Sequence, residues 1–163
     1  MIEIRQLKEN QIAQYITVLH ERYYWLKDHN LDMWDLEKLL KESLVERYKS
    51  PVFYAGFENN VCVGGFILID KDEKYWPNNL NDDAFYFHKF VVSPRYSRKG
   101  YSGVMLEWVK EYGKEKGKDF IRLDYEKRRT YLRNMYLKHG FIDVNEMTTN
   151  EGHLLILAEC ELG

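Results

Sequence analysis

Residues 1–7 mix apolar and polar side chains as a short strand does, and over residues 9–27 Ile12, Ile16 and Leu19 recur at helical spacing. Residues 28–31 break that pattern. A second helix is predicted from Asp32 or Trp34 to residue 49, with Leu36, Leu39, Leu40 and Leu44 on one side, and Pro51 forbids its continuation. Strand patterns at 52–57 and 61–69 flank Glu58-Asn59-Asn60, a hairpin signal. Residues 70–83, rich in Asp, Asn and Lys, form the longest loop. The run AFYFHKFVV at 84–92 is apolar almost throughout, which predicts a strand covered on both faces in the middle of a sheet. After Ser93-Pro94 and a basic loop, Tyr101, Val104, Met105, Trp108, Val109 and Tyr112 trace one face of an amphipathic helix that closes near Gly113 or Gly117. A short strand at 120–124, a helix at 130–139 stopped by Gly140, and strands at 141–148 and 152–160 complete the chain.

Hairpins thus alternate with two strand–helix–strand crossovers, which predicts a mixed, mainly antiparallel α/β sheet flanked by helices. With 163 residues, 45% of them hydrophobic, the chain has material for one core, and a single domain over residues 1–163 is expected. No run approaches the roughly 18 apolar residues of a membrane helix, and MIEIRQLKEN lacks the apolar stretch of a signal peptide. A cytoplasmic protein without a membrane partner is the expectation. Cys62 and Cys160 have neither metal-ligand nor redox spacing and read as small apolar strand residues, so no metal centre is expected.

The formal net charge of −2 hides an asymmetry. Residues 95–138 hold thirteen Lys or Arg against six Asp or Glu, a balance of +7, so the remainder sums to −9. A basic segment in a chain of pI 6.2 fits a polyanionic ligand held locally, whereas a nucleic-acid binder carries a basic face on a chain of high pI. A nucleotide-like ligand is expected and a nucleic-acid partner is not. Lys110, Lys114, Lys116 and Lys118 also fit charges that merely solvate helix faces.

Residues 94–103, PRYSRKGYSG, join the central strand to the amphipathic helix. The first N–H groups of a helix lack intrahelical partners and stand at the positive end of its dipole, so a pyrophosphate placed there meets several donors at once. Gly100, Ser102 and Gly103 supply clearance, and Arg98 and Lys99 supply charge. Neither the Gly-x-Gly-x-x-Gly of dinucleotide folds nor the Gly-Lys-Ser/Thr of a P-loop is present. The run FVVSPRYSRKGYSGVML resembles the acetyl-CoA loop of the GNAT superfamily of N-acetyltransferases, where a strand ending in an aliphatic-Val pair and Pro precedes an Arg/Gln-x-x-Gly-x-Gly/Ala turn. Ser97 stands where that family usually has Arg or Gln, and Ser102 where it has Gly or Ala. LRNMYLKHGF, residues 132–141, is similar to the superfamily's Leu-x-x-x-Tyr-x-x-x-Gly-Phe helix, and Arg129 takes a position where many members carry Asn.

The resemblance implies a GNAT-like acyl-CoA N-acyltransferase fold and transfer of an acetyl group from acetyl-CoA to a primary amine by direct attack. It assigns the pantetheine arm to the backbone of Phe90, Val91 and Val92. Ser97, Arg98, Lys99, Gly100, Tyr101, Ser102 and Gly103 fall to the pyrophosphate, with Arg129 and Tyr136 completing the cofactor set. Tyr136 is the implied acid for the departing sulfur, although it also shares an apolar face with Leu132 and Met135. An amine of pKa near 10.4 is neutral to only about one part in a thousand at pH 7.4, a deficit of about 4 kcal/mol, so a base or water path is required. AFYFHKFVV contains no carboxylate, and His88 is its only side chain of a type suited to the task. Asp82 and Asp83 through water, or Asp124, are alternatives. Tyr23, Tyr24, Trp25 and Trp34 with Asp28, Asp32 and Asp35 suit a small cationic amine, and suit core packing equally. A protein N-terminus or lysine as acceptor, a non-catalytic acyl-CoA sensor, and a homodimer are all compatible with the sequence.

Overall fold

Helix α1, Ile12–Asp28, buries Ile12, Tyr15, Val18, Leu19 and Leu26, one stripe at helical spacing, and leaves Ala13, Gln14 and Thr17 to solvent. The computed structural model describes residues 1–32 and 34–163. They form two units, Met1–Ile69 with Lys89–Met105, and Asp70–His88 with Leu106–Gly163. Strand β4, Ala84–Val92, and helix α3, Tyr101–Glu115, each pass from one unit to the other.

In the first unit β1, Glu3–Gln6, pairs antiparallel with β2, Val52–Glu58, which pairs antiparallel with β3, Val61–Ile69. The strands run β1-β2-β3-β4. Asn59 and Asn60 alone make the β2–β3 turn, both with positive φ (49° and 66°), the conformation a two-residue hairpin loop matching strand twist requires. Gly65 lets α1 approach this sheet, because a Cβ there would lie 2.5 Å from the Tyr54 carbonyl and 2.6 Å from the Tyr15 ring.

The predicted second helix is two pieces. A 3-10 turn at Leu36–Leu39 and helix α2, Lys41–Arg47, are separated by Leu40 in extended conformation (ψ 151°). Leu39 and Leu44 are the buried pair, and five residues on a continuous helix would place them about 140° apart, so the backbone extends between them to return both to the core.

In the second unit the order is β4-β5-β7-β6. Strand β5, Phe120–Glu126, is parallel to β4 through Ala84↔Phe120 to Tyr86↔Arg122. β7, Leu154–Glu161, lies antiparallel between β5 and β6, Ile142–Thr148. Helix α4, Thr130–Lys138, ends in a Schellman motif: the Phe141 N–H donates to the Tyr136 carbonyl (3.0 Å), the Gly140 N–H to that of Leu137 (3.1 Å), and Gly140 takes φ +90°. The hydrophobic contact that accompanies such a cap is here Phe141 against the Tyr136 ring, centroids 5.7 Å apart. Among the described residues no helix is long and apolar enough to cross a membrane.

Candidate active site

The loop between β4 and α3 lies wholly in the first unit. Buried Ser93 anchors it: its N–H donates to the Val63 carbonyl (2.8 Å), and its hydroxyl accepts from the Arg95 N–H (3.3 Å) and donates to Glu21 (3.2 Å). After a 3-10 turn at Pro94–Tyr96 the backbone goes left-handed at Arg98 (φ 65°) and Gly100 (φ 77°). A Cβ on Gly100 would meet nothing within 4 Å, so the space before α3 is open. The Val104 N–H is the first to bond back, to the Gly100 carbonyl (3.2 Å), leaving the amides of Tyr101, Ser102 and Gly103 as the helix's leading donors. An open, amide-lined turn with exposed Ser97, Arg98 and Lys99 fits a pyrophosphate.

Two acids that sequence reasoning passed over reach this loop. Glu21 of α1 holds the Arg95 guanidinium at 3.1 Å, so that charge is spent within the protein. Glu58, at the end of β2, accepts from the Tyr101 hydroxyl and lies 3.9 Å from Lys99 Nζ. The Tyr101 phenol is pushed up to about 12, first by its hydrogen bond to Glu58 and then by desolvation.

Phe90, Val91 and Val92 form the end of β4, with Val91 and Val92 buried. The Val92 carbonyl accepts two hydrogen bonds from Arg22 of α1, Nε at 3.1 Å and Nη2 at 2.7 Å. Immediately before this strip, Lys89 takes φ +50° in mid-strand, and its carbonyl accepts from the Tyr15 hydroxyl (2.6 Å). Its ammonium lies 5.7 Å from the ring centroids of both Trp34 and Tyr48. The other aromatic residues considered for the acceptor also meet groups of the chain itself. Trp25 stacks on His29 at 3.9 Å beneath the Arg22 guanidinium, and half-exposed Tyr24 lies edge-on to Tyr23 at 5.1 Å.

Tyr136, Arg129 and His88 belong to the second unit. Tyr136 is buried, its ring between Tyr125 (5.6 Å) and Phe141 (5.7 Å). Burial, reinforced by the Asp124 charge, pushes its phenol well above the ordinary tyrosine value, with Arg129 acting in the opposite sense. Arg129 is the N-cap residue of α4, half-buried, and desolvation lowers its guanidinium from the usual value. His88 is buried beside two carboxylates, Asp72 Oδ2 at 2.9 Å from Nε2 and Asp124 Oδ2 at 3.8 Å from Nδ1. Asp82 and Asp83 face cations instead: Asp82 pairs with Lys118 (2.7 Å), whose hydrogen bond holds its carboxyl below the usual range, and Asp83 pairs with Arg122 (3.2 Å). Much of the basic excess is neutralised in the same way, Lys110 by Glu107 at 3.2 Å and Lys114 by Glu111 at 3.1 Å. Asp72 escaped sequence reading because it sits in a polar loop without periodicity.

A sequence comparison with curated proteins gives no match. Among solved structures, the PaiA N-acetyltransferase of Thermoplasma acidophilum, in complex with coenzyme A, aligns with TM-score 0.73 at 21% identity, covering 99% of each chain. The ribosomal-protein-S18-alanine N-acetyltransferase of Escherichia coli aligns with TM-score 0.69 at 14% identity over 100% of this chain and 95% of that one. A GNAT family acetyltransferase from Elizabethkingia anophelis with acetyl-CoA bound gives 0.67 at 15% identity over 98% and 97%. At such identities these likenesses speak to the fold alone. The sequence pattern of the acetyltransferase (GNAT) family matches residues 8–141, from just before α1 to the Phe141 that caps α4. With its mixed sheet, its glycine turn before α3 and a family match over that span, the chain belongs to the GNAT acetyltransferase family.

Proposed function

We propose that this protein moves the acetyl group of acetyl-CoA to a primary amine by direct attack in a ternary complex. The observation that carries the reading is the turn at Arg98–Gly100, left-handed at Arg98 and at Gly100 and open at Gly100, which presents the leading amides of α3 in a chain of this family. Arg98, Lys99 and those amides would hold the pyrophosphate, and the backbone of Phe90–Val92 the pantetheine arm. The thioester supplies an activated carbonyl. Tyr136, protonated throughout the working range, gives its proton to the departing sulfur, and His88 with Asp124 takes the proton that the amine must lose. Positioned groups of this kind contribute about 10²- to 10⁴-fold each.

The acidic and aromatic residues of α1 and the turn after it favour a small cationic amine. Lys89, whose ammonium faces Trp34, is the charge such a molecule would have to pass or displace. The test is calorimetry with acetyl-CoA followed by a thiol-release assay over a polyamine, an amino acid and a peptide N-terminus. Binding with release on one class of amine supports the reading; binding without release on any would make the chain an acyl-CoA sensor; no binding removes it.

A further inference from the structure

Lys89 is the first residue of β4 that belongs to the first unit, one position before the Phe90–Val92 strip. Its φ of +50° falls within a strand, where a left-handed residue breaks the alternation of faces and re-aims the side chain. Two sets of contacts fix it. The Tyr15 hydroxyl donates to its carbonyl at 2.6 Å, and its ammonium lies 5.7 Å from the ring centroids of Trp34 and of buried Tyr48. The Tyr48 ring also takes the Arg47 guanidinium at 4.6 Å, so two cations face one tyrosine. Ring faces attract a cation but leave its N–H donors to find oxygen elsewhere.

Other cations of this unit have a carboxylate beside them. Arg5 has Glu3 at 3.3 Å, Lys41 has Glu9, Arg95 has Glu21 at 3.1 Å and Lys99 has Glu58 at 3.9 Å. Among the described residues half-buried Lys89 has none, and its ammonium meets only the two rings. A partly desolvated ammonium with a second cation nearby favours an anion brought from outside the chain. One ammonium matches the single charge of a carboxylate, whereas a phosphate dianion calls for a cluster of donors or a guanidinium fork.

We propose that Lys89 is a specificity-determining residue that holds the carboxylate of the acceptor, so that the acceptor is a free amino acid. This rests on the acetyl-transfer reading and narrows it. The small cationic amine is then the ammonium of a zwitterion, whose own carboxylate meets the lysine that a polyamine has to displace. Trp34 and Tyr48 steady the Lys89 ammonium, and Tyr15 holds the backbone that aims it.

The test measures thiol release at saturating acetyl-CoA for free amino acids, for their carboxamides, for the corresponding decarboxylated amines and for a peptide amidated at its C-terminus. The wild type gives the free acids a kcat/KM about tenfold or more above their amides, the ordinary worth of a hydrogen bond to a charged group. Amine reactivity alone gives the opposite order, because a carboxylate stabilises the adjacent ammonium and leaves less of the neutral amine. Lys89→Met removes the charge at similar length, so the acid-over-amide ratio falls toward unity through KM, while acetyl-CoA affinity in calorimetry stays put. Lys89→Arg recovers most of the ratio. An active wild type that handles amides, decarboxylated amines or the amidated peptide as well as the acids overturns the carboxylate assignment and leaves acetyl transfer standing; this comparison needs no variant. A ratio that survives in Lys89→Met overturns the role of Lys89. A wild type that binds no acetyl-CoA, or releases no thiol with any amine, overturns both readings together.

Discussion

Replacing Tyr136 by Phe separates the two duties assigned to that side chain. The ring keeps its contacts with Tyr125 at 5.6 Å and Phe141 at 5.7 Å, and the Schellman cap is made by backbone, so melting temperature and acetyl-CoA affinity change little. The hydroxyl is what is lost. If its proton goes to the departing sulfur, kcat falls about 10²-fold, equivalent to about 2.7 kcal/mol of barrier. The structure also dictates the form of the pH profile. An ordinary tyrosine would begin to lose its proton as pH nears 10, but burial and Asp124 push this phenol well above that value. Between pH 6 and 10 the wild type therefore shows no decline attributable to Tyr136, and the Phe variant runs parallel beneath it. The assay is thiol release at saturating acetyl-CoA over that range. Unchanged turnover would return Tyr136 to packing, and a wild-type alkaline decline below pH 10 that vanishes in the variant would refute the account of its environment.

At Gly100, Ala pays only for the left-handed backbone, about 1–2 kcal/mol, whereas Glu also sends charge into the open turn. Both variants should lose a similar amount of stability while only Gly100→Glu loses acetyl-CoA in calorimetry, tenfold or more; equal losses would trace the effect to backbone. Gly65→Ala drives a methyl against the Tyr54 carbonyl and Tyr15 ring, so about 1–3 kcal/mol of destabilisation, seen as roughly 2–4 °C per kcal/mol in a melting scan, should follow, and an unchanged scan would contradict the packing. Burial also raises the phenols of Tyr15, Tyr86 and Tyr125. The folded state then keeps protons that the unfolded chain sheds near pH 10, so stability is complete below that pH and falls as pH rises above it. Urea midpoints between pH 9 and 12 check the sign, with Tyr125→Phe flattening the slope.

Where the sequence encodes a backbone event, it could be read. Strand β4 spans Ala84–Val92 as its apolar run predicts, and α3 starts at Tyr101 as its periodicity does. LRNMYLKHGF is legible for a physical reason, since Gly140 and Phe141 are the αL stop and the hydrophobic contact of a Schellman cap whose first acceptor is Tyr136 itself. The break at Leu40 was hidden by four leucines that look like one face until the five-residue step from Leu39 to Leu44 is weighed. Contacts distant in sequence left no local trace. Nothing near Arg22 announces that it caps the Val92 carbonyl, and nothing near Asp72 announces His88. Lysine has no preference for positive φ, so the conformation of Lys89 was invisible too.

That conformation sets a direction for the protein's evolution under heat. A lysine at φ +50° costs about 1–2 kcal/mol that glycine would not, and it is kept in place by the Tyr15 hydroxyl on its carbonyl and two aromatic rings about its ammonium. A library selected for thermal resistance alone should converge on glycine or asparagine at position 89, and one selected also for turnover should not.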